Sequence, residues 1–316
     1  MTTLTGAAIH AAALKYGYDN CGVIPVSDLD GYAARLQKRQ EKIPASKAVY
    51  ANMELKERYP WAKSVVICTT WLGKYRFPHS FQGKYAKAFF LAADAVPDSP
   101  RHEQKQQFVA WLQAQGLRIE GGEANAPSHI LPLRYAAVAA GLGIFRKNNF
   151  FYGEKGSYYD LEGYLIDADV TYHQQCSLRP CADTCMCCQN ACKTHALCAP
   201  YTMNPLSCVS FWTTFGQGQV PPHLEADQFG TWICGCDACQ DACPYNRRHD
   251  WSQGEAIAEV EELTDLLAPE ALVQAQDDIL REKVIPLTVD YLRPEETQTL
   301  RTCAARALAY EKAHQA

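Results

Sequence analysis

Cysteine is the residue in this chain whose number and spacing most clearly point to chemistry. Of fifteen cysteines in 316 residues, twelve fall between positions 176 and 243. Cys181, Cys185, Cys188 and Cys192 form C-x-x-x-C-x-x-C-x-x-x-C. Cys236, Cys239 and Cys243 form C-x-x-C-x-x-x-C-P, closed by Pro244. Thiols two and three residues apart are poorly placed to bridge one another, but as thiolates they can wrap a compact metal centre from one tight loop. In a short secreted chain, so many cysteines would imply disulfides. This chain is long, and Met1 to Leu14 has no cationic start followed by an apolar run, so metal ligation is the expectation.

Triplets with one further cysteine and a C-P ending match the run that holds 4Fe–4S clusters, where the fourth thiolate crosses to the neighbouring cluster. Two clusters need about eight ligands. The runs supply seven, and Cys208 lies between them. By the crossing rule one cluster takes Cys181, Cys185, Cys188 and Cys243, and the other takes Cys192, Cys208, Cys236 and Cys239. The first gap is one residue longer than usual, Lys193 stands where proline commonly follows, and Cys187 is an alternative to Cys188. Zinc is the competing metal, although its sites pair C-x-x-C knuckles across a longer loop. Cys176, Cys198 and Cys234 are spare and are expected to be small buried thiols, while Cys21, Cys68 and Cys303 are expected to pack inside regular elements.

These ligands need a scaffold. Leu4–Tyr16 reads as a helix ending near Gly17, Cys21–Val26 as a strand, and Leu29–Lys42 as a charged helix. Ser64–Leu72 is a β-branched run suited to a strand covered on both faces. Residues 78–100 read as irregular. His102–Gln115 and Leu131–Ala140 are helices stopped by Gly116 and Gly141. Tyr164–Tyr172 is a further strand. Helices alternating with strands imply an α/β (or α+β) domain over 1–172, followed by a cysteine module over 173–250. A short α-helical C-terminal tail over 251–316 ends in a helix at Thr297–His314, with Leu300, Cys303, Ala304 and Leu308 as its apolar stripe.

Composition is ordinary for a soluble chain, at 47% hydrophobic and 21% charged, with a net charge of −5. That balance argues against broad non-specific nucleic-acid binding. No apolar stretch reaches membrane-helix length, so a cytoplasmic protein without a membrane partner is expected. The glycines Gly141 and Gly143 do not make a dinucleotide fingerprint, because they follow a helix and the third glycine is missing.

Four segments resemble one family. Arg134–Asn148 (RYAAVAAGLGIFRKN) is similar to the helix and A-G-L-G-x-x-x-K-N turn of epoxyqueuosine reductases. Gly156-Ser157-Tyr158 with Gly163-Tyr164-Leu165 resembles their G-S-x-x…G-E-hydrophobic segment, and Tyr59–Val66 their P-x-A-K-S-V-I strand entry. Gly235-Cys236-Asp237-Ala238-Cys239-Gln240 with Cys243-Pro244-Tyr245-Asn246 is close to their G-C-D-x-C-Q…C-P-x-N signature. The resemblance implies a cobalamin-binding-type domain joined to a ferredoxin-like double 4Fe–4S module, with the clusters feeding electrons to a corrinoid that reduces an organic substrate. Reductive dehalogenases share that core.

On this resemblance, Gly141, Leu142, Gly143, Lys147, Asn148, Gly156 and Ser157 approach the corrinoid. An external donor such as a ferredoxin or flavodoxin supplies electrons, and tRNA is the family's substrate. The family's D-T-x-P aspartate, its proposed proton donor, has no counterpart in Glu123-Ala124-Asn125-Ala126-Pro127. Glu123, His129 and Tyr158 (with Tyr159 beside it) are the candidate acids, each of which could equally be an ordinary loop or core residue. The longer members carry C-terminal helical repeats that touch tRNA, whereas this chain keeps a short tail bearing Arg301 and Arg306. Two rival expectations follow: a reductive-dehalogenase-like enzyme acting on a small molecule, and a non-catalytic two-cluster electron carrier or corrinoid-activating protein.

Overall fold

The computed structural model describes residues 4–48, 54–92, 96–121, 130–289 and 291–314. The chain forms two units, one from Met1–Trp71 with Pro97–Ala182 and the other from Leu72–Val96 with Asp183–Ala316.

The first unit is built on a four-stranded sheet. In chain order its strands are β1 (Asn20–Pro25), β2 (Ser64–Trp71), β3 (Ile119–Glu120) and β6 (Tyr159–Ile166), and their spatial order is β1-β2-β6-β3. Every pairing is antiparallel, with Val66 opposite Val23 on one side and Tyr164 on the other. The sheet is therefore of the α+β kind. Antiparallel strands commonly leave one face wet, but here both are covered, which is why β2 reads as an unbroken apolar run. Side chains alternate along it. Val66 and Cys68 pack with Ile9, Ala13, Phe108 and Leu112 from the helices Gly6–Lys15 and Pro100–Ala114. Val65 and Ile67 pack on the other face with Leu131, Ala136 and Ala137 around the helix Leu133–Ala139.

Local signals set the helix ends. Thr5 accepts a hydrogen bond from Ala8 N, and Ser99 accepts one from His102 N with Pro100 at the first helical position. Tyr164–Tyr172 was expected to be one strand. The strand instead runs over Tyr159–Ile166, and Tyr172 returns as a single bridge to Val23. A two-stranded hairpin, β4 (Ile144–Phe145) with β5 (Phe151–Tyr152), completes the unit.

A buried polar network sits on the sheet. The Arg101 guanidinium bonds Thr70 Oγ1 at 2.9 Å and pairs with Asp160 and Glu162, and Tyr18 and Tyr164 both donate to Glu162. Burial pushes the Glu162 carboxyl up, but Arg101, Lys105 and the two tyrosines outweigh it and hold it below the usual range.

In the second unit, residues 72–96 belong with the cysteine-rich and C-terminal chain. Ala86 N donates to Cys234 O, Ile233 N to Lys84 O and Phe77 N to Trp251 O. Tyr85 Oη donates to Leu267 O at 2.7 Å inside a ring cluster with Phe77, Phe81 and Phe90. The segment expected to be irregular thus supplies aromatic core and a short helix, Lys87–Leu91. This division differs from the expected spans 1–172, 173–250 and 251–316, because residues 72–96 and the C-terminal helices share one core with the cysteine module. The helix Thr297–His314 packs on Pro269–Gln274 and buries Leu300, Cys303, Ala304 and Ala307, with Leu308 only partly covered. Among the described residues no helix is long and apolar enough to cross a membrane.

Candidate metal centre

Short helical turns carry several of the cysteines. Cys187 and Cys188 open the helix Cys187–Ala191, and Cys192 caps its C-terminus. Cys208 caps Val209–Trp212, and Cys239 lies in Ala238–Asp241, a helix packed on Cys187–Ala191. Gly235 turns the chain into Cys236 at φ +77, where a Cβ would lie 2.4 Å from the Ala86 side chain, so only glycine fits.

Cys192, Cys208, Cys236 and Cys239 come together in the second unit. Burial pushes the thiols of Cys208, Cys236 and Cys239 up, and the surrounding thiols add to it. Cys192 acts on Cys208, Cys208 and Cys192 act on Cys236, and all three others act on Cys239. With their pKa values raised, Cys208, Cys236 and Cys239 stay protonated without a metal, and bound iron would displace those protons and stabilise the thiolates. Among the described residues no three His, Cys, Asp or Glu side chains are gathered to hold a single ion.

Of the other four expected ligands, Cys181 lies near the end of the first unit, while Cys185, Cys188 and Cys243 lie in the second. Cys188 and Cys243 are buried. Cys185 and Cys187 are neighbours, and their hydrogen bond is the main cause raising the Cys187 thiol. Among the spare thiols, Cys234 is buried beside Cys303, but Cys176 and Cys198 are exposed. The expectation of buried spare thiols fails for those two; at Cys198 the neighbouring Ala196 and Leu197 take the buried positions instead. Cys21, Cys68 and Cys303 are fully buried.

The Gly235–Asn246 block is held by its own polar side chains. Lys87 N donates to Asp237 Oδ2 at 2.8 Å, Gln240 Nε2 reaches Asp237 Oδ1, and Asn246 Nδ2 donates to Gln240 O at 2.8 Å. Thr213 Oγ1 accepts from Gly235 N at 3.0 Å.

In the first unit, the turn after Leu133–Ala139 is tightly committed. Gly141 has φ +76, and a Cβ there would lie 2.0 Å from Gln174 O; at Gly143 it would lie 2.1 Å from Tyr152 O. These two glycines are required by the chain's own packing, Gly141 as a helix stop. Leu142 is buried in the core. Lys147 Nζ donates to Ala182 O at 2.9 Å and Asn148 Nδ2 to Tyr152 Oη at 2.9 Å. Gly156 has φ +110 and bridges Gly153, and Ser157 and Tyr158 are buried. Burial pushes the Tyr159 hydroxyl up to about 12, and its oxygen accepts from Lys155 N. Glu123 and His129 lie outside the described residues.

Sequence reasoning passed over two side chains here. Arg146, inside the quoted RKN segment, is buried and donates from Nη1 to Cys181 Sγ at 3.8 Å. Lys87 lay in a stretch without periodicity. Arg301 and Arg306, two of the tail's cations, are engaged with Asp277 and with the Gly218 and Trp232 carbonyls.

Residues 181–246 match a family described as a 4Fe-4S double cluster binding domain. An epoxyqueuosine reductase from Synechocystis sp. is 31% identical over 267 residues, covering 79% of this chain and 86% of the relative. A solved selenomethionine-labelled epoxyqueuosine reductase superposes with a TM-score of 0.76 at 22% identity, covering 98% of this chain and 82% of its own. Another, solved with a tRNA-Tyr epoxyqueuosine-modified stem loop, gives a TM-score of 0.71 at 21% identity with the same coverages. The latter two likenesses speak to fold.

Proposed function

The chain belongs to the epoxyqueuosine reductase family, an oxidoreductase family, and we propose that it is a cobalamin-dependent reductase of epoxyqueuosine in tRNA. Two 4Fe–4S clusters serve it, one on Cys181, Cys185, Cys188 and Cys243 and the other on Cys192, Cys208, Cys236 and Cys239. The observation that carries this reading is the pair of hydrogen bonds from the Gly141–Asn148 turn. Arg146 reaches Cys181 and Lys147 reaches Ala182, so the turn assigned to the corrinoid touches the first cluster ligand.

The residues present fit the two groups differently. The converging thiols suit clusters directly. Lys147, Asn148, Gly141 and Gly143 are committed to the fold, so toward a corrinoid they offer a rigid polar turn, with Gly156 and Ser157 beside them in the proposed site. When bound, a corrinoid supplies a reduced metal that is strongly nucleophilic and reducing. The protein's part is to hold that turn rigid, present the cluster thiols, and deliver a proton from Glu123, His129 or Tyr158. A one-electron donor such as a ferredoxin or flavodoxin replenishes the clusters.

The test is anaerobic expression with cobalamin, followed by iron analysis and a visible spectrum. About eight irons and a retained corrinoid support the reading; a protein that binds iron but no corrinoid overturns it. Queuosine restored to the tRNA of a deletion strain supports the tRNA substrate. The missing aspartate at Glu123–Pro127 favours the dehalogenase-like alternative if corrinoid is bound without rescue.

A further inference from the structure

We infer that Arg146 is a positioning residue that sets the reduction potential of the cluster held by Cys181. This inference rests on the proposed role of Cys181 as a ligand. Arg146 is 2% exposed, its Nη1 lies 3.8 Å from Cys181 Sγ, and its guanidinium sits 5.2 Å from the centroid of the Tyr152 ring. The β4–β5 hairpin fixes it there. Arg146 N donates to Phe150 O at 3.2 Å, Asn149 N donates to Arg146 O at 2.8 Å, and Asn149 takes φ +65 to close the loop.

Placing a guanidinium in the interior carries a desolvation cost that an anionic neighbour offsets. A thiolate bound to iron is such a neighbour. The cluster takes up one electron from an external reductant, with no bond broken and no proton required, and its net negative charge grows by one. A buried cation that donates to one ligand sulfur stabilises the reduced form more than the oxidised form, and hydrogen bonds to the sulfurs raise cluster potentials. Arg146 donates to Cys181 of the first proposed set, so the effect is expected on that cluster. Its consequence is an unequal pair, with the cluster on Cys181 the easier to reduce.

The experiment is a potentiometric EPR titration of the anaerobically loaded full chain, comparing wild type with Arg146→Met and Arg146→Lys, with iron counted in each. Arg146→Met should make one cluster at least about tenfold harder to reduce, about 59 mV for a one-electron couple, and leave the other unmoved. Arg146→Lys should fall between. Two unchanged midpoints in an iron-replete Arg146→Met protein overturn the inference. Where Arg146→Met does not load, wild type carrying 15N-guanidino-arginine decides. Nitrogen coupling to one reduced cluster that disappears in Arg146→Lys supports the inference, and absence of coupling in wild type overturns it. Cys181→Ser separates the premise: iron and both midpoints unchanged there would refute the ligand role itself, independently of Arg146.

Discussion

Lys87 Nζ lies 3.3 Å from Asp237 Oδ2 and 2.9 Å from Asp241 Oδ1, with Lys87 and Asp237 both almost fully buried. Burial pushes the Asp237 carboxyl up to about 6 while Lys87 pulls it down. Burial also opposes the charge on Lys87, but the two aspartates outweigh it and hold the ammonium above its ordinary value. Asp237 adjoins Cys236, and the Lys87 backbone N–H binds the same oxygen, so the pair fastens residues 72–96 to the cysteine loop.

Lys87→Met should therefore cost about 3–5 kcal/mol, because it strands a buried carboxylate. Lys87→Met combined with Asp237→Asn should cost less than the sum of the two single changes. Anaerobic urea unfolding of the four proteins measures this, and additive costs would show that the contact contributes nothing.

Cys208→Ala is expected to lower iron from about eight to about four per chain, leaving one EPR-active cluster. Cys303→Ala, in a fully buried site on the C-terminal helix, should keep all its iron and lose stability instead. Full iron in Cys208→Ala would move that ligand role elsewhere. Exposed Cys198 would then be the next thiol to test.

Glu162 predicts acid sensitivity in the first unit. Its folded pKa is depressed, so its contribution is present above the unfolded value of about 4.3 and is lost as pH falls through the folded value. In that window the unfolded chain binds the extra proton, so stability rises with pH. Glu162→Gln should weaken the sheet at neutral pH and flatten this acid slope. Amide-exchange protection of β2 and β6, followed from about pH 6 down to about pH 3, checks it, and an unchanged slope would refute it.

Gly141→Ala should destabilise by more than the roughly 1–2 kcal/mol of left-handed backbone strain, since its Cβ also collides with Gln174 O. Thermal unfolding reads the loss. A stable Gly141→Ala protein that fails to retain corrinoid would instead put the glycine at the cofactor.

Much of this protein is legible one-dimensionally, because the signals are local. Cysteine spacing picks out the thiols that the proposal assigns to the clusters, and Gly17 and Gly141 take the positive φ expected of helix stops. The β-branched run of Ser64–Trp71 forms the strand covered on both faces, and the last helix begins and ends at Thr297 and His314 as read. Strand direction was not legible. A fully covered antiparallel strand carries the same apolar run as a parallel one, so β2 alone cannot tell its neighbours' sense. Nor could periodicity reveal residues 72–96, whose rings reach a core made by chain more than 150 residues later, as Tyr85 does at Leu267. Arg146 beside Cys181, Lys87 beside Asp237 and Arg101 beside Glu162 are likewise products of folding. Each places a cation in the interior, and only a partner remote in sequence makes that burial tolerable.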